Sequence, residues 1–211
     1  MTTALLQTTY FGPVQWYQKL NCYDRCIIEQ YDSYQKQTYR NRCVIATANG
    51  TQALTVPVEN EKNEKCLVRD IRISDHNQWR RVHWNALQSA YSESPFFEYY
   101  ADDIRPFFEQ KYEFLVDFNE TIRETVCRLI DIHPQVEYSS CWTKGEAPDL
   151  IDDLSGMADF RDVISAKHPL ADPTFTPKSY WQVFQHKHGF LPNLSILDLL
   201  FNMGPESVFY L

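Results

Sequence analysis

Glycine is scarce in this chain, with six residues among 211. The six glycines are dispersed, and they form neither a G-x-G-x-x-G fingerprint nor a P-loop. Both motifs use glycines to bring the backbone close to a phosphate group. Dinucleotide or ATP binding through a glycine-rich loop is therefore disfavoured, and the sequence leaves any cofactor unknown.

Excess positive charge and long apolar runs are also missing. The formal net charge is −8, from 20 Lys and Arg against 28 Asp and Glu, so no binding of nucleic acid is expected. No apolar run approaches the roughly 20 residues of a membrane span, and we expect no membrane insertion. The first twelve residues lack the basic and apolar regions of a secretion signal, which predicts a cytoplasmic location.

The six cysteines show neither the spacing of a zinc site nor that of a disulfide framework, and we expect reduced thiols. His186 and His188 form an H-x-H pair without a second ligand cluster, so no metal site is predicted. Cys43 adjoins Arg42, whose positive charge would lower the pKa of the thiol. A cysteine-dependent hydrolase is therefore one alternative function.

Aromatic and apolar residues are abundant, at 15% and 44%, which is typical of a globular protein. We expect one domain over residues 1–211. Strands are predicted near residues 3–10, 25–29 and 67–73, and a hairpin with a type I′ turn around Asn49-Gly50 over residues 42–58. Helices are predicted over residues 77–91 and 102–130. The expected fold is α/β or α+β, with a mixed sheet from the N-terminal third packed against these helices.

Residues 143–178 are acidic and rich in Pro, Ser and Asp. We interpret them as a linker or flap with short helical pieces near Leu150 and Val163.

Polar residues interrupt an apolar helix near the end of the chain. Ser195, Asp198 and Asn202 lie on one face of a helix that ends at Gly204. A buried polar stripe must be satisfied by hydrogen bonds or must face a cavity. Gln182, His186 and His188 precede the helix, and we interpret this region as one wall of a site. His186 or His188, oriented by Asp198 or Asn202, would transfer a proton.

A second group of residues, Tyr31 to Arg42, is basic in an acidic protein. Lys36, Arg40 and Arg42 lie within seven residues, interleaved with tyrosines that include Tyr31 and Tyr39. Guanidinium and ammonium groups suit phosphate or carboxylate, and a tyrosine ring can stack on a base or sugar. An anion site and a solvated surface loop both fit this pattern.

Four stretches of the chain resemble the WbqC-like family. They are Gln7 to Lys19 with Tyr10; Gln30-Tyr31, Lys36 and Tyr39-Arg40-Asn41-Arg42; the series Trp79, His83, Tyr91, Pro95 and Phe96; and Tyr180, Gln182, Phe190, Pro192, Ser195, Asp198, Asn202 and Gly204. The resemblance adds Gln7, Tyr10, Asn41, Gln182, Ser195 and Asn202 to the expected ligand-binding residues.

The resemblance also implies a setting, since members of the family are associated with surface-polysaccharide gene clusters. The leading hypothesis is a transferase of acyl or aminoacyl type that acts on an anionic ligand such as a sugar nucleotide, in particular an amino-sugar nucleotide. The second alternative is a non-catalytic binding or scaffold protein of envelope-polysaccharide assembly. The leading hypothesis requires the basic segment and the histidine pair to share one cleft.

Overall fold

The computed structural model describes residues 1–59, 66–145 and 156–211. The strands are β1 (Thr3–Gln7), β2 (Arg25–Glu29), β3 (Arg42–Thr47), β4 (Gly50–Thr55), β5 (Val58–Glu59), β6 (Arg72–Ile73), β7 (Val136–Tyr138) and β8 (Met157–Asp159). The helices are α1 (Val14–Cys22), α2 (Trp79–Tyr91), α3 (Phe97–Ile104), α4 (Pro106–Glu109), α5 (Leu115–Leu129), α6 (Gln185–His188) and α7 (Ile196–Met203). A 3₁₀ segment, Gly204–Tyr210, follows α7.

A four-stranded sheet with the order β7-β2-β1-β8 lies at the centre. Its three pairings are all parallel, and α1 connects β1 to β2. Residues 4–6 of β1 and 26–28 of β2 are buried, as expected for parallel strands that are covered on both faces. The sequence shows this burial as continuous apolar runs.

The prediction of an α/β or α+β fold is confirmed, and the parallel sheet makes the class α/β. Among the described residues, the antiparallel strands do not join the parallel sheet. β3 and β4 form a hairpin of their own, and β5 pairs with β6. The expected mixed sheet is therefore divided into one parallel and two antiparallel sheets. Two strands of the parallel sheet come from the later chain, since β7 and β8 flank the N-terminal pair.

The hairpin is present where the sequence predicts it, but its turn differs from type I′. Thr47 pairs with Gly50, so that Ala48 and Asn49 form the loop. A type I′ turn needs a positive φ at both central residues. Here Gly50 has φ 107°, and neither Ala48 nor Asn49 has a positive φ.

The long helix predicted over residues 102–130 is interrupted. Helix α4 ends at Glu109 and α5 begins at Leu115. Between them, Glu113 accepts a backbone hydrogen bond from Ile73, and Leu115 donates one to Ile71. The chain leaves the helical conformation here because these backbone groups pair with β6 and its neighbours.

The linker or flap expected over residues 143–178 includes part of the sheet. Its predicted helical piece near Leu150 lies outside the described residues, and Val163 is buried without forming a helix. β8 forms an edge of the parallel sheet. Further on, Asp172 makes a buried ion pair with Lys19 of α1 at 2.7 Å. A strand of three residues is too short to give a sequence pattern.

An aromatic core fills the space between α2, α4, α5 and the residues after β1. The ring of Tyr10 stacks on Phe118 at 5.7 Å, and its hydroxyl lies 2.8 Å from Nδ1 of His83. Tyr10 has no exposed surface and His83 is 4% exposed. Tyr10 therefore belongs to the core in this structure and faces no open surface. Among the described residues, no helix combines the length and apolarity needed to cross a bilayer.

Burial of His83 predicts a specific loss of stability in acid. Burial lowers the pKa of His83 from 6.5 to about 4, so the unfolded chain binds the extra proton between these values. The free energy of unfolding should fall by about 3 kcal/mol through this group as the pH drops from 7 to 4. Urea unfolding of the wild type and of His83→Gln at both pH values measures this loss of unfolding free energy. The variant should lose about 3 kcal/mol less than the wild type, and equal losses would contradict the assignment.

Candidate ligand-binding site

The polar residues of the sheet gather at the carboxyl ends of its parallel strands. From β1 the chain proceeds to β2 on one side, whereas β8 returns to the other side of β1. The order of strands therefore changes direction between β1 and β8. Open α/β sheets bind ligands in the crevice that forms at such a point.

Glu29, the last residue of β2, joins the loops at this edge. Its side chain is 1% exposed. Oε1 accepts hydrogen bonds from the Ser139 hydroxyl at 2.8 Å and the Tyr31 amide at 2.7 Å. Oε2 accepts one from the Thr143 amide at 2.7 Å. The loops that follow β2 and β7 are thus fixed to one carboxylate.

Asp32 lies in the loop after β2 and contacts two arginine side chains, one of which also approaches Glu29. Its Oδ1 lies 3.1 Å from Nη1 of Arg161, and its Oδ2 lies 3.4 Å from Nη2 of Arg40. Arg161 also donates from Nε to Asp159 at 2.9 Å, and its Nη1 lies 3.9 Å from Glu29. These side chains form a network of three carboxylates and two guanidinium groups.

Arg40 is the least satisfied member of this network. Its side chain is 4% exposed, and the 3.4 Å contact with Asp32 is its one hydrogen bond to the described residues. Its Nε is buried without a partner among them. Burial lowers the pKa of Arg40, and the charge of Asp32 opposes that shift. A buried charge with so little pairing favours an additional anionic partner.

Other buried polar atoms near Arg40 also have unused hydrogen-bonding capacity. Asn119 donates from Nδ2 to Thr8 Oγ1 at 3.1 Å and to the Arg40 carbonyl at 2.8 Å, which joins α5 to this edge of the sheet. Six buried atoms besides Arg40 Nε find no partner among the described residues: Gln7 Oε1, Thr9 Oγ1, Asn41 Oδ1 and Asn119 Oδ1 on the segments around Arg40, and Gln18 Oε1 and Asn202 Oδ1 elsewhere. Such groups are rare in folded proteins, and they suit a bound ligand or water.

The basic segment contributes one cation to the network. Lys36 is exposed, and Arg42 donates from Nε to Thr55 on the neighbouring strand. Tyr31 is half-buried, with its hydroxyl accepting a 2.7 Å hydrogen bond from Arg69. Tyr39 is 8% exposed. The predicted cluster of three cations is therefore divided, and Arg40 alone lies at the sheet edge.

Most of the polar stripe of α7 is satisfied within the fold, although Asn202 Oδ1 is buried without a partner among the described residues. Asp198 has no exposed surface, and accepts hydrogen bonds from Tyr91 at 2.9 Å, Tyr180 at 2.7 Å and Gln182 at 2.8 Å. Burial raises the pKa of Asp198, while these donors oppose the shift. The donors to the Asp198 carboxylate are two tyrosines and a glutamine, so in this structure Asp198 does not orient His186 or His188 as predicted.

The other two residues of the stripe bond to backbone groups. Ser195 accepts from the Leu197 amide at 3.3 Å, which caps α7, and donates to the Phe11 carbonyl at 2.8 Å. Asn202 donates to the carbonyl of Asp198, one turn earlier. Ser195 and Asn202 are 1% and 3% exposed, so both act here as parts of the helix packing.

The histidine pair lies far from Arg40. His186 is exposed on α6, and His188 lies 3.2 Å from the Ala48 carbonyl in the hairpin turn. Arg40 precedes β3 at the opposite end of the same hairpin, and a six-residue strand is about 17 Å long. The expected shared cleft is therefore wrong. A catalytic role for His186 or His188 stays a prediction, without support from Asp198 or Arg40.

Cys43 does not have the environment that the hydrolase alternative requires. It is 1% exposed, and burial raises the pKa of its thiol to about 12. The effect expected from Arg42 is therefore outweighed by desolvation. Within the described ranges, no group of three or more His, Cys, Asp or Glu residues has the geometry to hold a metal ion.

Several residues of the network escaped the sequence analysis. They are Glu29, Asp32, Asn119, Ser139, Asp159 and Arg161, together with Trp142, whose Nε1 donates to Asp32. Glu29 ends a recognisable strand and Asp32 follows it, so their position after an apolar run was an available signal. Ser139 and Asp159 adjoin strands of three residues, which give no periodic pattern.

The fold and this polar edge define an α/β protein with a candidate ligand site at a change of strand order. A family model described as the WbqC-like protein family matches residues 7–210, and the chain belongs to that family. It is 28% identical over 223 aligned residues to the uncharacterized protein Rv1507c of Mycobacterium tuberculosis, covering 99% of this chain and 96% of that protein. No solved structure matches the chain.

The partners of Asp198 predict a structural effect of its substitution. Asp198→Asn would replace one acceptor oxygen by an NH₂ group that faces hydroxyl or amide donors. The free energy of unfolding should fall by about 1–3 kcal/mol. Urea unfolding measures the loss, with His186→Ala as the exposed control that should change it by less than about 0.5 kcal/mol. An unchanged stability of Asp198→Asn would contradict the assigned hydrogen bonds.

Proposed function

We propose that the protein is a transferase of acyl or aminoacyl type that acts on a nucleotide-linked amino sugar in surface-polysaccharide biosynthesis. The anionic part of the ligand binds Arg40 at the carboxyl ends of β1 and β2. The observation that carries this proposal is the buried and incompletely paired guanidinium of Arg40. Membership of the WbqC-like family supports the proposed biosynthetic setting through the association of that family with surface-polysaccharide gene clusters.

Phosphate oxygens are suited to the unused capacity of Arg40. Its Nε donor is buried, and a guanidinium binds phosphate through two parallel N–H groups. Among the described residues, the acceptor that competes for the Arg40 side chain is Asp32 at 3.4 Å, which is longer than a strong charge-assisted hydrogen bond. A bound phosphate would therefore complete the pairing of a charge that is already removed from water.

Hydroxyl and amino groups of a ligand would suit the buried acceptor oxygens that have no partner. The side-chain oxygens of Gln7, Asn41 and Asn119 are acceptors without partners among the described residues. The carboxylates of the network also outnumber its arginines, which favours donors on the ligand. An amino sugar attached to a phosphate offers both kinds of group, whereas inorganic phosphate offers few donors.

Substitution of Arg40 tests the proposal against a matched residue of the same segment. Arg40→Gln should weaken binding of nucleotide-linked amino sugars at least tenfold, because a charged hydrogen bond contributes about 1.5–3 kcal/mol. Lys36→Ala removes an exposed cation and should leave affinity unchanged. Isothermal titration calorimetry measures both, with circular dichroism to verify folding of each variant.

Two results would count against the proposal. Equal affinity of the wild type and a folded Arg40→Gln would remove Arg40 from the site. Binding of the sugar nucleotide without modification of its amino group, in the presence of activated acyl and aminoacyl donors, would favour the non-catalytic binding protein. Mass spectrometry of the recovered ligand detects such a modification.

A further inference from the structure

Trp142 is exposed at the rim of the network, in the loop that follows β7. Its side chain is 57% exposed. The loop is fixed on both sides of it, because Ser139 and Thr143 both donate to the buried carboxylate of Glu29. The backbone that carries this large aromatic side chain is therefore held by an internal group.

The indole itself is oriented by the same network. Its Nε1 donates to Oδ1 of Asp32 at 3.0 Å, and the guanidinium carbon of Arg161 lies 5.8 Å from the ring centroid. The other oxygen of Asp32 contacts Arg40. One carboxylate thus separates the indole edge from the guanidinium that we propose for the anion.

Other exposed aromatic side chains lack this combination. Tyr99, Tyr138, Trp181 and Phe209 are 73%, 37%, 49% and 70% exposed. Within the part of the chain that the structure describes, none of the four has a guanidinium or ammonium group over its ring, whereas Trp142 has Arg161. Single exposed aromatic residues are ordinary, and Trp142 differs from them because Asp32 and Arg161 fix the orientation of its ring.

The two tyrosines that the sequence suggested for stacking are less suited to it. Tyr39 is buried, and Tyr31 is half-buried with its hydroxyl bonded to Arg69. Trp142 offers a larger aromatic face with more than half of its surface open. Tryptophan also gives the strongest attraction to a cation such as Arg161.

We propose that Trp142 is the stacking platform for the nucleobase of the ligand. The proposal rests on the proposed function, because it places the phosphates at Arg40 and the base against the indole. Base stacking on an aromatic side chain strengthens nucleic-acid complexes by a factor of roughly 5 to 150 per base. A base stacked on this ring would make nucleotide-linked ligands bind more tightly than simple sugar phosphates.

Fluorescence titration with a nucleoside diphosphate tests the platform directly. The ligand should quench tryptophan emission in the wild type and in the matched control Trp181→Phe, because the base contacts the indole of Trp142. Trp142→Ala should lose this quenching and bind about tenfold more weakly by calorimetry, while Trp142→Phe should retain most of the affinity. A sugar 1-phosphate without a base should not quench the emission of any variant.

The outcomes separate this inference from the proposed function. If a folded Trp142→Ala binds the nucleotide as tightly as the wild type while Arg40→Gln does not bind, the platform is wrong and the anion site stands. If the sugar 1-phosphate binds as tightly as the nucleotide-linked sugar, the base has no platform. If neither nucleotides nor nucleotide-linked sugars bind the wild type at millimolar concentration, both proposals fail.

Discussion

A buried carboxylate must be given hydrogen-bond donors, and the candidate site depends on how the fold meets this requirement for Glu29. The side chain is 1% exposed at the end of β2. Its donors come from the residues after β2 and from both sides of the loop after β7. Desolvation of an ionised carboxylate is costly without such partners. Because the donors lie on separate loops, satisfying Glu29 also determines where Asp32 and Trp142 are placed.

The same requirement holds the C-terminal part of the chain together at Asp198. This carboxylate accepts hydrogen bonds from Tyr91 of α2 and from Tyr180 and Gln182, which lie in the segment before α6. The polar residues of α7 thus connect the C-terminal elements to the helical layer. Internal hydrogen bonds therefore explain Ser195 and Asp198 of the polar stripe, and Asn202 Oδ1 is the atom of the stripe left without a partner among the described residues. The network at the sheet edge has more such atoms and is the better candidate for ligand binding.

The hairpin β3–β4 explains why two regions with plausible chemistry do not cooperate. Its first strand begins two residues after Arg40 and ends next to Ala48, whose carbonyl contacts Lys187 and His188. An extended strand is rigid and sets a minimum separation for groups at its two ends. The basic residue at the sheet edge and the histidines at the turn consequently belong to different surfaces.

The sequence alone was sufficient for an α/β or α+β fold, the N-terminal strands and the hairpin, because apolar runs and local turn chemistry determine those features. Its motifs were sufficient for the family. It also identified Arg40 within a basic segment. It did not reveal β7 or β8, since strands of three residues leave no periodic pattern, nor the ends of the helices between residues 97 and 129. Only the tertiary structure decided which polar residues meet, because Glu29 and Asp32 are far in sequence from Asn119 and from Arg161, and the packing of the parallel strands and α5 brings these segments together.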